Sequence, residues 1–209
     1  MARTYPTEWK KFCKTIHTSI GFNHYTKKIK KNVSLGDLNR FSARYSVAKD
    51  FIGIDIQNST IKTKLGYESL MNTLLVWSVV EYYFIIFKTN AKSHYKCLTY
   101  SANELNAIRM QINAIGVDVN TFYSFIKLHC DTAHKDNIEY FLNGQNYNPT
   151  MLLSAIRHVF SHGKLTANVS KVKSASINSI VNILKLYMLD NIDDKFSLIV
   201  KSHPNYLNV

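Results

Sequence analysis

The run Tyr67-Glu-Ser-Leu-Met-Asn-Thr-Leu-Leu-Val-Trp-Ser-Val-Val-Glu-Tyr-Tyr-Phe-Ile-Ile-Phe-Lys88 decides the fold class. It contains neither Gly nor Pro, and its centre is apolar on nearly every side. A surface helix shows a single apolar stripe, whereas a helix apolar all round is buried in a large core or a bilayer. The greasiest part, Leu74 to Phe87, is shorter than the ~20 residues of a membrane span, and Glu81 interrupts it. The stretch therefore reads as a buried core helix, and no membrane partner is expected.

The flanking sequence agrees with a helical protein. Only 7 Gly and 3 Pro punctuate 209 residues, too few for the turns of a β-sandwich. Hydrophobic residues make up 46% of the chain, enough for a real core. Trp9, Phe12, Cys13, Ile16 and Ile20 fall at helical spacing between Pro6-Thr7 and Gly21. Residues 22–36 read as a loop, and 37–50 as a helix capped by Asp37. Residues 51–66 are ambiguous: Ile52, Ile54 and Ile56 alternate as in a short strand, but the segment could also be irregular or extend a helix. Ser101 and Glu104 form a capping-box pattern for a helix closing near Gly116. Asp118 is the expected cap of the next helix, and Asp136 to Leu142 makes a shorter one. Pro149 opens, and Gly163 follows, a helix reading Met151-Leu-Leu-Ser-Ala-Ile-Arg-His-Val-Phe-Ser-His162. A last long helix starts at Ser174 or Ser176. No repeat or linker divides the chain, so residues 1–209 read as one all-α domain, with at most a short irregular or β insertion near 51–66.

The net charge of +12 points to an anionic partner, most simply nucleic acid. Eleven Lys/Arg against Glu8 and Asp37 concentrate the excess in residues 1–49. Lys27, Lys28, Lys30 and Lys31 are its densest cluster, and Lys164 lies just beyond the Gly163 helix end. These five are the candidate phosphate contacts, set against the plain reading of a solvated lysine surface. Cys13, Cys97 and Cys130 are scattered and odd in number, which suits a reducing, cytoplasmic setting better than a disulfide framework. No apolar leader opens the chain.

The chemistry-bearing residues gather on the 149–162 helix. Arg157 and His162 are five apart, so on one ideal helix they point about 140° from each other. A two-fold partner that brought a second helix end across would let both reach one cleft. An Arg can hold a phosphate through two nitrogens, and a His can move protons at a ribose hydroxyl or a leaving oxygen. His158 and His162 share a face at metal-ligand spacing, but no Glu of a zincin motif lies between them and no third ligand is marked, so neither metal nor cofactor is expected. Glu81 needs a partner in its apolar surroundings. Arg157 could be that partner in a purely structural pair, and His162 could simply satisfy the last helical carbonyls. Tyr82, Tyr83 and Tyr140 read as core or interface aromatics.

Arg157-His-Val-Phe-Ser-His162 resembles the Arg-x-x-x-x-His motif of HEPN domains. The likeness extends to the helix carrying Trp77 and Glu81, to Gly163-Lys-Leu-Thr-Ala-Asn after the motif, and to the closing helix with Leu189-Asp190. It spans a core of about 67–195. It implies a helical bundle, usually dimeric with a shared active site, that cleaves RNA without metal in toxin–antitoxin or antiviral systems. By the same resemblance Arg157 and His162 are catalytic, His158 takes the supporting polar position where Asn is commoner, and Glu81 is the helix acid. An antitoxin or a nucleotidyltransferase partner would fit such a system. A non-catalytic HEPN-like module that binds nucleic acid or protein is the alternative, and it would rest on the basic N-terminal quarter.

Overall fold

The computed structural model describes residues 3–167, 169 and 171–209. It is an all-α bundle. Its α-helices are α1 (Trp9–Thr15), α2 (Leu35–Asp50), α3 (Ile61–Ile86), α4 (Ala102–Asn113), α5 (Asp118–His129), α6 (Thr132–Leu142), α7 (Pro149–Ser161) and α8 (Ser174–Lys201). Short 3-10 turns at Gly21–Lys27, His94–Lys96 and Tyr206–Asn208 complete it.

Helix α3 is the central element. It packs most extensively against α8, then α2, then α7. Val76, Trp77, Val79, Val80, Tyr83 and Ile86 are buried along it. It starts six residues before the sequence-predicted Tyr67, because the Thr60 hydroxyl accepts from Thr63 N and caps the helix there. At that length it is apolar enough to cross a membrane, so shortness does not distinguish it from a span. Its burial against three neighbouring helices is what makes it the core helix here.

The basic N-terminal quarter is built into this core. Phe12, Tyr25, Leu38, Phe41 and Tyr45 are buried, and Phe12 and Phe41 meet Phe196 of α8. Helix α1 stops at Thr15, short of the expected Gly21. Gly21 instead begins the 3-10 turn with φ +49, and a Cβ there would come within 2.9 Å of the Ile16 carbonyl oxygen. The predicted 22–36 loop is thus partly ordered. Ile29 pairs with Phe87 in an isolated antiparallel bridge, with Lys30 N donating to Ile86 O and Lys88 N to Lys28 O.

Several helix starts differ from the sequence reading for one reason: a side chain that looks like a cap serves another backbone. Ser34, not Asp37, caps α2, and Asp37 closes its capping box from the third helical position. Asp118 is the first residue of α5, and its carboxylate accepts from Lys173 N and Ser176 Oγ, so it caps α8 instead. Asp131 caps α6 five residues ahead of Asp136 through His134 N. Ser101 and Glu104 make the expected box on α4. Residues 51–60 form no strand. Ile52 is 91% exposed, so the Ile52, Ile54, Ile56 alternation lacks the sheet it would need. The segment is held by Lys185, a buried ammonium on α8 that donates to Phe51 O at 3.1 Å and Asn72 Oδ1 at 2.8 Å. Burial pulls its pKa below the usual lysine range, and Lys49 adds to that.

Candidate functional site

The site forms where the C-terminal half of α7 crosses α3. Pro149 occupies the first turn, and Asn148 caps it by accepting from Thr150 N. Leu152, Leu153, Ala155, Ile156 and Val159 bury one face of α7, which turns Arg157 and His158 toward the boundary with solvent. His162 is the C-cap and is exposed; Gly163 follows at φ +68, the left-handed geometry that suits Gly after a helix.

The chain after Gly163 is pinned from beneath. A Cβ on Gly66 of α3 would lie 2.1 Å from the Ala167 carbonyl oxygen. Only the missing side chain lets Ala167 settle on α3, and Leu165, Ala167 and Val169 are buried. Gly66 thereby fixes the exit path behind His162. A lone Gly inside a helical pattern is the only sequence sign of this close approach.

Arg157 and His162 face different neighbours, in line with their spacing. The Arg157 guanidinium lies 5.8 Å from the Trp77 ring centroid and 4.0 Å from Glu81 Oε1. Trp77 and Glu81 are four apart on α3 and present one face. The ion pair is long and both side chains are more than a third exposed, so it contributes little to stability and leaves guanidinium donors open. His162 turns back on His158, with ring centroids 4.4 Å apart. His158 also stacks on His134 of α6 at 5.8 Å and 27°. Burial, with His162 and His134 as like-charged neighbours, pulls the His158 pKa below its ordinary 6.5. His158 is consequently a neutral imidazole at neutral pH.

Sequence reasoning missed half of this cluster. His134 Nδ1 lies 2.8 Å from Asp131 Oδ2, and its Nε2 lies 3.0 Å from Ser154 Oγ. The connectivity is that of an Asp-His-Ser triad. Yet His134 and Ser154 are 2% and 1% exposed, so no substrate reaches that hydroxyl. The relay instead locks α6 to α7 and fixes the ring on which His158 rests. Burial opposes ionisation of Asp131, but the hydrogen bonds and charge from His134 outweigh it, and its pKa falls. Asp131-Thr-Ala-His134 carried a readable signal, since an Asp cap places its oxygens beside the third helical residue.

His94 and Tyr95 complete the ring cluster from the connector after α3. His94 meets Trp77 edge-on at 5.2 Å, and Tyr95 meets His134 edge-on at 5.4 Å. Burial lowers the His94 pKa, with Glu81 opposing and Arg157 assisting. Trp77 Nε1 is buried without a hydrogen-bond partner among the described residues. Among the described residues no three His, Cys, Asp or Glu side chains converge as a metal site. The His158–His162 pair therefore meets no third ligand there.

The candidate lysines divide. Lys30 Nζ donates to Phe84 O and sits 3.9 Å over the Phe84 ring, and Phe84 in turn lies 6.1 Å from His94. The basic cluster thus borders the histidine site through Phe84, but Lys30 itself is engaged in the fold. Lys27, Lys28, Lys31 and Lys164 are exposed. Of the tyrosines, Tyr83 is buried as expected, while Tyr140 is 47% exposed. Set beside protein-family models, curated proteins and solved structures, the chain matches none of them.

Proposed function

We propose that this protein is a metal-independent endoribonuclease of HEPN type, acting in toxin or antiviral defence in the cytoplasm. The observation that carries the reading is the meeting of two imidazoles, His158 and His162, 4.4 Å apart beside the half-exposed Arg157 guanidinium. In this mechanism neutral His158 accepts the proton of a ribose 2′-hydroxyl. The freed oxygen attacks the adjacent phosphorus, and the bond from phosphorus to the 5′-oxygen breaks. His162 gives the departing 5′-oxygen its proton, leaving a 2′,3′-cyclic phosphate and a free 5′-hydroxyl. Arg157 holds the non-bridging oxygens and offsets their growing charge, while Glu81 keeps the guanidinium from swinging off Trp77.

The reading includes a homodimer. His162 is exposed at a helix end, and a second copy across a two-fold axis would set four imidazoles and two guanidinium groups around one cleft. The deciding experiment is incubation of the purified protein with single-stranded RNA in excess EDTA. The expected products carry 2′,3′-cyclic phosphate ends. Cleavage only with added divalent metal overturns the mechanism. Binding without cleavage under every condition favours a non-catalytic nucleic-acid-binding module.

A further inference from the structure

Three cavities run end to end along one side of the bundle, joined by shared lining residues. The first, about 660 Å³, lies between the end of α3, the 88–99 connector and α8, and is lined by Lys88, Lys92, Lys96 and Lys195. It shares Lys96 and Thr99 with a second of about 520 Å³, walled by Tyr100, Tyr140, Tyr147 and Asn146. The second shares Tyr100, Leu105 and Asn146 with a third of about 360 Å³ that reaches Asn106, Arg109 and Gln145. No Asp or Glu lines any of the three. In a chain with 14 acidic residues, their exclusion from the whole trough marks it as a path for an anion.

The walls are held in place by bonds within the protein. Arg109 donates to Gln145 O and stacks 4.8 Å from the Tyr147 ring. Tyr147 OH donates to Leu105 O, and the Asn137 amide pairs with the backbone of Asn148 through both of its polar atoms. Thr89 Oγ1 in the first cavity and Arg109 Nε in the third are buried without a partner among the described residues. Tyr140 leaves nearly half its surface open on the middle wall.

We infer that this trough binds single-stranded RNA, with phosphates chiefly on Lys92 and Lys96, since Lys88 bonds the Thr26 and Lys27 carbonyls and Lys195 the Thr99 hydroxyl, and with bases against Tyr140 and the amide-rich middle. A lysine-lined channel beside aromatic and amide side chains is how proteins hold single strands without reading a duplex. A small anion would need one compact positive pocket, not a string of three. The trough adjoins the histidine cluster through the His94–Lys96 turn. His94 and Tyr95 contact Trp77 and His134, while Lys96 lines the trough. The inference rests on the endoribonuclease reading for its choice of RNA, but it concerns binding alone.

The test separates the two. The probe is a fluorescein-labelled ten-residue RNA with 2′-O-methyl riboses, which lacks the attacking hydroxyl, followed by fluorescence anisotropy on the full chain. Neither the Lys92 nor the Lys96 side chain makes a hydrogen bond or ion pair with any described residue, so K92E/K96E should fold, as circular dichroism would verify. Affinity is expected to fall at least 30-fold, with a shallower dependence on salt. Tyr140→Ala is expected to cost about 10-fold through lost stacking. Unchanged affinity in K92E/K96E overturns the trough, whatever the cleavage assay gives. Competition by poly-glutamate as strong as by unlabelled RNA overturns the assignment to a polynucleotide. Loss of binding in K92E/K96E from a protein that never cuts natural RNA retains the trough and removes the nuclease reading.

Discussion

The two ends of α7 are built on opposite principles. At the start, the polar side chains of Asn148 and Thr150 both have partners. Asn148 accepts from Thr150 N, donates to Tyr95 O and is itself held by Asn137, while Tyr100 OH meets Thr150 Oγ1. At the finish, Arg157 has one long ion pair, and His158 and His162 rest chiefly on other rings. A satisfied, buried network stabilises one arrangement of the chain. A half-exposed set of cations and imidazoles contributes little to stability and remains free to meet a ligand. Between the two, Ser154 receives His134 and ties the helix to α6. Changes at the two ends should therefore separate stability from activity.

The largest separation is expected at the finish. Arg157→Ala and His162→Ala should each lower RNA cleavage by about 10³-fold, the scale of losing a charge-stabilising or proton-transferring group. Their thermal midpoints should stay near that of the parent, because an exposed pair is worth at most ~1 kcal/mol. Parallel losses of midpoint and rate would return Arg157 to a structural role. Next comes Gly66→Ala. Its methyl would collide with backbone, which cannot move aside like a side chain, and the cost is expected near ~3 kcal/mol by urea denaturation. A stability within ~0.5 kcal/mol of the parent would mean that the seat of Ala167 does not depend on Gly66. Asn148→Ala, at the start, should cost about 2 kcal/mol for the lost cap and the Tyr95 bond. At temperatures where it remains folded, its cleavage rate should be that of the parent. A selective loss of rate would erase the contrast between the two ends.

How much of this was legible follows the same line. The core helix, the Ser101 box and the Pro149-to-Gly163 bounds of α7 are local patterns, and local patterns survive folding. One cap failed because its partners are distant in sequence: Asp118 looks like a cap for its own helix but serves Lys173 and Ser176, 55 and 58 residues away. The Ile52, Ile54, Ile56 alternation misled because a strand needs a partner strand, which no local pattern supplies. Glu81 could be named because it interrupts an apolar run, and Arg157, His158 and His162 because they fall together on a helix bounded by Pro149 and Gly163. His94 and His134 could not, since nothing in the sequence reports that the connector and α6 bring their rings to Trp77 and His158. Gly66 was left in the ambiguous 51–66 segment, because its role is defined by what lies on top of it.

The smallest effect concerns pH. His94 and His158 both have pKa values held below their ordinary 6.5, chiefly by burial. Between those folded-state values and 6.5 the unfolded chain binds more protons than the folded one, so stability rises with pH across that window. Acidification from pH 7 should begin to lower the urea midpoint below about 6.5, before Asp131 and Asp118, whose pKa values lie below 3.8, become protonated. The rate of cleavage should retain its neutral-imidazole form of His158 somewhat below pH 6.5, giving an acidic limb displaced to lower pH. Replacing His134 with Asn removes one of the like-charged neighbours that depress His158. The His158 ring resonance, followed by NMR titration, should then shift its midpoint up toward 6.5, and the acidic limb of the rate should move with it. A His158 midpoint unmoved by His134→Asn would show that the ring stack carries no electrostatic coupling. The buried Asp131–His134–Ser154 relay would then belong wholly to the structural end of α7.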